Sequence, residues 1–112
     1  MQSYGMTLML KDDEEIVERY KEYHRKAWPE VVSRLRESGI TGMRIYLLGR
    51  RMFMYMEAID GFSPERDFPK LAHDPRYREW DELMRTLQER APEAKPNQWW
   101  APMEQVFDLS AQ

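Results

Sequence analysis

The chain has 112 residues, 42% of them hydrophobic and 33% charged, with a formal net charge of −3, two histidines and no cysteine. A chain of this length forms one core, so residues 1–112 are predicted to be a single domain. The interspersed charges argue against nucleic-acid binding, which needs a clustered basic face, and the lack of cysteine excludes disulfide and thiol chemistry.

The amino-terminal segment predicts a strand and no targeting signal. Residues 3–10, SYGMTLML, are short and apolar and end at a charged run, which is typical of a strand. The stretch is too short for a membrane span and lacks the basic start of a signal peptide. We therefore expect a cytoplasmic protein with no membrane partner.

The next segment predicts a helix with a break in it. KDDEE supplies an N-cap and first-turn carboxylates, and Pro29 lacks the N–H that a continuous helix would use. The helix is therefore expected to kink or restart near Trp28, and Gly39 is expected to end it as a left-handed cap. The apolar side chains at helical spacing are Ile16, Tyr20, Tyr23, Ala27, Val31 and Leu35.

A hairpin follows at MRIYLLG (43–49) and RMFMYMEAI (51–59), two predicted antiparallel strands joined by a tight Gly-Arg turn. In the second strand Phe53 and Tyr55 point to one face, whereas the methionines at positions 52, 54 and 56 point to the other. Both faces are apolar, although a solvated face would be polar.

The second sheet face is therefore expected to be covered. The most economical cover is a second copy of the chain, which predicts a homodimer with its open sheet faces together. The alternative is a monomer in which long helices or the loop 92–102 cover this face.

The last third predicts two short helices, a loop and a strand. Ser63-Pro64 and Asp74-Pro75 each combine a cap with a proline at the first helical position. A polar, proline-rich loop, PEAKPNQWWAP, then leads to residues 103–109, whose alternating apolar residues predict a final strand. The order β-α-β-β-α-β predicts an α+β, ferredoxin-like fold: a four-stranded antiparallel sheet with two helices on one face.

One segment of the helix carries the candidate chemistry. Tyr20, His24 and Trp28 are spaced four apart, which places them along one side of the helix. His24 lies near the end of the segment before Pro29, where the helix dipole favours the imidazolium form. With a pKa near its reference value of about 6.5, the imidazole could act as acid or base in an apolar pocket. The alternative is a packed histidine with one satisfied nitrogen, beside a packed helix junction.

No residue pattern predicts a metal or another cofactor. Neither His24 nor His73 has a second ligand at a recognisable metal-binding spacing, and His73 is typical of a loop or cap. The chain has no glycine-rich phosphate loop and no serine in a nucleophile-elbow context.

Three stretches together resemble the L-rhamnose mutarotase family, and more closely its L-fucose mutarotase-like branch. They are RYKEYHRKAWPEV, IYLLGRRMFMYMEA and REWDELMRTLQERAPEAKPNQWWAPMEQVFDL, and they run nearly end to end. The resemblance implies a dimeric α+β barrel. It also implies an isomerase of the aldose 1-epimerase type, which interconverts the α and β anomers of a free monosaccharide without a cofactor.

The resemblance places the catalytic histidine at His24 and substrate-contacting residues at Tyr20 and Trp80. Rhamnose-type members carry an aromatic residue where this chain has Met43, and a Trp-Trp pair where it has Glu79-Trp80. These departures favour a fucose-like deoxyhexose over L-rhamnose.

Three further residues are candidate sugar contacts. Trp28 could stack on an apolar sugar face. Glu79 could act as a second acid or base, with a solvated helix carboxylate as the alternative. Arg44 could contact the sugar or lie at a strand edge.

Two other function classes stay open. Dimeric α+β barrels include cofactorless monooxygenases and haem-degrading proteins, in which a helical histidine could ligate haem. A non-catalytic module that binds a small ligand would keep the aromatic pocket and tolerate loss of His24.

Overall fold

The computed structural model describes residues 1–112 and contains one antiparallel sheet of three long strands and two short ones. The strands are β1 (Gln2–Leu10), β2 (Ile40–Leu48), β3 (Arg51–Ala58), β4 (Gln88–Glu89) and β5 (Ala101–Pro102). Their order is β2-β3-β1-β4, and β5 pairs with the same edge of β1 as β4. The predicted first strand and the hairpin are confirmed to within a few residues.

Four helices connect the strands: the predicted first helix forms as two segments, and both short helices predicted in the last third are present. They are α1 (Glu14–Arg25), α2 (Pro29–Glu37), α3 (Pro64–Leu71) and α4 (Pro75–Arg85). Pro29 is the first residue of α2 and Trp28 is its N-cap, so the predicted restart near Trp28 is confirmed. The Asp13 side chain caps α1 by accepting a hydrogen bond from the Glu15 amide at 2.8 Å, and Asp74 caps α4 in the same way.

Glycines form the two chain reversals that precede and follow β2. Gly39 follows α2 with φ of 106°, and Gly49 forms the hairpin turn with φ of 63°. L-residues with a side chain rarely adopt these angles, whereas glycine does so at little cost. The predicted left-handed cap at Gly39 is confirmed.

The core lies between the helices and the sheet face that carries the methionines. Met52 pairs with Leu8 and Met54 with Met6, and all of these side chains are buried. The buried side chains that the helices add to the first core cluster are Tyr20, Val31, Trp80 and Met84. Helices α1, α2 and α4 are thereby packed over β1 and β3, which contribute Leu8, Leu10 and Met52 to the same cluster.

The predicted final strand at 103–109 is wrong. Only Ala101–Pro102 pairs with β1, and the Met103 amide makes one more bond, to the Gly5 carbonyl, at 2.8 Å. Pro102 has no N–H to donate to the ladder, and no residue after Met103 bonds to β1. Residues 103–108 therefore leave the sheet, and a short 3-10 helix at Leu109–Ala111 follows.

The second sheet face is open in the protomer. Tyr46 and Leu48 are 55% and 86% exposed, and Phe53 stacks beside Tyr46 with ring centres 6.2 Å apart. The 92–102 loop does not cover them, because its Trp99 and Trp100 pack against the helix-side core instead. None of the helices is both long enough and apolar enough to span a bilayer.

Candidate active site

His24 is held by a backbone bond in the last turn of α1. Its Nδ1 lies 2.9 Å from the Tyr20 carbonyl oxygen. A carbonyl can only accept, so Nδ1 carries the proton and the lone pair of the neutral ring is on Nε2. Nε2 has no hydrogen-bond partner in the protein. Because every fully buried side-chain nitrogen and oxygen does have such a partner, Nε2 is not fully buried. Nε2 is therefore open to solvent and to a ligand.

Aromatic rings surround this imidazole on two sides. Tyr20 stacks on the His24 ring with centres 4.1 Å apart, and Trp80 meets it edge to face at 5.4 Å. Trp28 packs against Trp80 at 5.1 Å. The structure thus brings together all four aromatic residues that the sequence placed at the site, with Tyr20 and Trp80 buried.

Burial lowers the pKa of His24 below 6.5, and the bond to the Tyr20 carbonyl opposes this shift to a smaller extent. The sequence predicts a pKa near 6.5 for His24, with the helix dipole favouring the charged ring. That expectation placed His24 in an apolar pocket but left out the effect of burial on its pKa: the aromatic neighbours exclude water and disfavour the imidazolium. At neutral pH the ring is neutral, with Nε2 able to accept a proton.

Tyr20 is a phenol that keeps its proton. Burial raises the pKa of the Tyr20 phenol to about 12, and the nearby Gln88 side chain opposes the rise to a smaller extent. Tyr20 is consequently a hydrogen-bond donor or acceptor at neutral pH and not a base.

Sequence reasoning missed Gln88, which lies in β4 and is 5% exposed. Its Oε1 accepts a hydrogen bond of 2.8 Å from the indole Nε1 of Trp99. In the sequence, the available signal is a glutamine directly after the apolar Leu87. Without the fold, this glutamine cannot be distinguished from one that is exposed on a strand.

Glu79 is exposed, and its carboxylate pairs with the Arg76 guanidinium at 2.7 Å. Arg76 in turn lies over Trp28, with 3.6 Å between the guanidinium carbon and the ring centre. The structure thus links Glu79 to the aromatic group only through Arg76, another residue that the sequence analysis did not single out.

Arg44 and Met43 lie on opposite faces of β2. Arg44 pairs with Tyr55 in the register and faces the open side of the sheet, away from the helices and His24. Within one protomer the structure does not bring Arg44 to His24. Met43 pairs with Met56 on the helix side and packs against the second core cluster.

Other potential sites lie elsewhere. No group of three or more acidic, histidine or cysteine side chains is arranged to hold a metal ion. A cavity of about 440 Å³ is lined by Arg85, Arg90, Pro96, Asn97, Gln98 and Trp99. It does not include His24, so the candidate site is identified by the geometry of its side chains and not by cavity size.

Comparison with known proteins assigns the family. The family model for L-rhamnose mutarotase matches residues 3–109. The chain belongs to the L-rhamnose mutarotase family. An L-fucose mutarotase of Xanthomonas campestris pv. campestris is 33% identical over 112 residues, covering 98% of this chain and 90% of that protein. A UPF0734 protein of Dictyostelium discoideum is 44% identical over 96% of this chain and 89% of its own length.

A solved member of the L-rhamnose mutarotase family has the same fold. The crystal structure of an L-rhamnose mutarotase from Formosa agariphila superposes with a TM-score of 0.72 at 20% identity, covering 97% of this chain and 99% of that one. The likeness supports a small α+β fold with an antiparallel sheet for this chain.

Proposed function

We propose that this protein is a sugar mutarotase that interconverts the α and β anomers of a free, L-fucose-like deoxyhexose. His24 is the general acid and base, and no cofactor takes part. The observation that carries the proposal is the His24 tautomer: Nδ1 is held by the Tyr20 carbonyl, and Nε2 is open beside an aromatic wall.

Mutarotation needs two proton transfers and no other chemistry. Nε2 accepts the proton of the anomeric hydroxyl as the bond from the anomeric carbon to the ring oxygen breaks. The ring oxygen takes up a proton from solvent and gives it back to solvent when the ring closes. The open aldehyde then rotates and recloses by the reverse steps, with the imidazolium returning its proton. A neutral His24 suits the first step, because burial lowers its pKa and leaves Nε2 unprotonated at neutral pH.

The aromatic residues supply the sugar-binding surface in this proposal. The buried indole of Trp80 is in contact with His24, and Trp28 extends the same surface towards solvent. Indole rings pack against apolar C–H faces and leave the sugar hydroxyls to polar groups such as the Tyr20 phenol.

The preference for an L-fucose-like sugar rests on the relatives and on two departures from the rhamnose type. The Xanthomonas campestris relative is named for L-fucose. In addition, Met43 and Glu79 replace two aromatic residues of the rhamnose-type pattern.

We also propose a homodimer through the open sheet face. Tyr46, Leu48 and Phe53 form an exposed apolar patch there, and the tail after Pro102 exposes Met103, Val106 and Phe107. Pairing two copies would remove both surfaces from water.

The test is anomer exchange measured by NMR magnetisation transfer with L-fucose, L-rhamnose, D-galactose and D-glucose. Native protein should accelerate exchange of L-fucose most. His24→Ala should fold normally and lose about 10²–10⁴-fold in rate, the usual contribution of a general acid or base. The His73→Gln variant controls for loss of a histidine, since His73 is exposed. Absence of acceleration for every sugar, or full activity in His24→Ala, would refute the proposal.

A further inference from the structure

Arg76 contacts three side chains beside the candidate site. It lies in the first turn of α4, and its guanidinium carbon lies over the Trp28 ring, 3.6 Å from the ring centre. One guanidinium nitrogen donates to the Glu79 carboxylate at 2.7 Å, and Nε lies 3.9 Å from the Glu30 carboxylate. Because Trp28 and Glu30 flank the start of α2, Arg76 joins α4 to the junction between α1 and α2.

The Trp28 ring is held by packing and not by a hydrogen bond. Trp28 lies between α1 and α2, as the N-cap of α2, and is half-buried. Its indole N–H donates no hydrogen bond to the protein, whereas the Trp99 indole donates to Gln88 at 2.8 Å. Trp80 meets the Trp28 ring edge to face at 5.1 Å, and the Arg76 guanidinium covers one face of it. These two contacts therefore restrain the ring.

The stacked contact is the most specific of the three that Arg76 makes. The side chains of Arg76, Glu30 and Glu79 are 42%, 56% and 62% exposed, and ion pairs at such exposure contribute little stability. A planar guanidinium over an indole is attracted by the ring quadrupole and has a defined geometry. The carboxylates, one on α2 and one on α4, favour the charged group at this place.

We infer that Arg76 is a positioning residue that holds the Trp28 indole in place as a wall of the sugar site. This inference rests on the proposed mutarotase function and deepens it. Trp28 contacts Trp80, which in turn contacts His24 at 5.4 Å, so the indole extends the aromatic surface beside the imidazole. The guanidinium covers one face of the Trp28 ring, so only the opposite face and the ring edge are available to a sugar.

Loss of Arg76 should weaken sugar binding and spare the chemical step. Without the guanidinium the indole has to be ordered when the sugar binds, and that cost raises KM. A free sugar is uncharged, so removing one charge does not by itself change the attraction of the substrate to the site. Arg76→Met should raise KM about twofold to fivefold, the range of an exposed cation–π contact, and leave kcat within about twofold.

Arg85 supplies a matched control on the same helix. Its guanidinium lies over the Trp99 ring at 4.6 Å and pairs with the Asp81 carboxylate at 3.1 Å. Arg85→Met thus removes the same two kinds of contact, but the rings in contact with His24 do not include Trp99. Its KM should equal that of native protein. Arg76→Lys keeps the charge without the planar group and should give an intermediate KM.

The indole N–H signals in NMR spectra report the order of Trp28 without any sugar. The chain has four tryptophans and so gives four indole signals, which single Trp→Phe variants assign. In Arg76→Met the ¹H–¹⁵N heteronuclear NOE of the Trp28 indole should fall, because the ring loses one of its two restraints. In Arg85→Met the same signal should be unchanged.

A double-mutant cycle tests whether Arg76 acts through Trp28. In a Trp28→Leu background, which lacks the ring, Arg76→Met should cause no further rise in KM. A rise of the same size in that background means that Arg76 contacts the sugar itself, and the positioning role is then overturned.

The outcomes separate this inference from the proposed function. If native protein accelerates exchange but Arg76→Met leaves either KM or the Trp28 NOE unchanged, the role of Arg76 is overturned and the function stands. If native protein accelerates no sugar, the function is overturned, and the inference falls with it.

Discussion

The imidazole of His24 meets the indole of Trp80 edge to face, with ring centres 5.4 Å apart and planes inclined by 65°. This contact joins the last turn of α1 to the middle of α4 and keeps water from one side of the imidazole. The same contact thus lowers the pKa of His24 and supplies an apolar surface for the sugar.

The activity should have an acidic limb whose midpoint lies below 6.5. His24 must be neutral to accept the first proton, and burial lowers its pKa from 6.5. We expect kcat/KM to fall about tenfold for each pH unit below the midpoint. A profile of exchange rate against pH checks this, and a midpoint above 6.5 would contradict it.

The free energy of unfolding should also depend on the protonation of His24. Between the lowered pKa of His24 and 6.5, the unfolded chain binds a proton that the native state does not. The free energy of unfolding therefore decreases as pH falls through that window, by at most about 1.4 kcal/mol per pH unit for one proton. Urea denaturation at about pH 7.5 and about pH 5.5 should show this loss for native protein and for His73→Gln, and a smaller loss for His24→Gln.

Substitutions of Trp80 should distinguish its contribution to core packing from its contribution to sugar binding. Trp80→Ala removes a buried indole and should cost about 3–5 kcal/mol of stability. Trp80→Phe keeps a ring there and should fold, but KM for the sugar should rise about threefold to tenfold, since an aromatic contact contributes about 0.5–1.5 kcal/mol. Trp100→Phe, which also borders the core, is the control and should leave KM unchanged.

A side chain at position 39 should destabilise the protein. Its φ is 106°, and a Cβ there would lie 2.8 Å from Ile59 side-chain atoms. Gly39→Ala should lower the free energy of unfolding by about 1–3 kcal/mol. Gly42→Ala is the matched control, because its φ is ordinary and the nearest atom would be 3.7 Å away. Equal midpoints of thermal unfolding for the two variants would refute this prediction.

The open sheet face should control association. If two copies pair there, Phe53→Lys puts a charge at the centre of the interface and should shift the protein to a monomer. A stable dimer buries about 800 Å² on each partner, so one charge at its centre is costly. Ile59→Lys is the control, since Ile59 is also exposed but lies beyond the end of β3. Sedimentation equilibrium should show dimer for native protein and the control only.

Much of this fold follows from local sequence signals. The break at Pro29, the cap at Gly39 and the hairpin around Gly49 each depend on one residue whose backbone preference dominates its neighbours. The segment 103–109 was mispredicted because alternation describes which side chains are apolar and not whether the segment pairs with a neighbouring strand.

The site was predictable where it lay on one helix. The spacing of Tyr20 and His24 placed these two residues together because helical geometry fixes that spacing. Trp28 lies beyond the end of α1 and joins the group through its contact with Trp80. The lowered pKa of His24 and the bond from Trp99 to Gln88 depend on elements that are distant in sequence, so a local sequence pattern cannot predict them.

The methionine-rich core has a consequence for oxidation. The buried methionines are Met6, Met9, Met52, Met54, Met56 and Met84, whereas Met43 is half-buried and Met1 and Met103 are exposed. Peroxide converts accessible thioethers to polar sulfoxides, which a packed core cannot accommodate. Oxidation of the folded protein should thus spare the six buried methionines, and a sulfoxide at Met52 would record that the molecule had once opened.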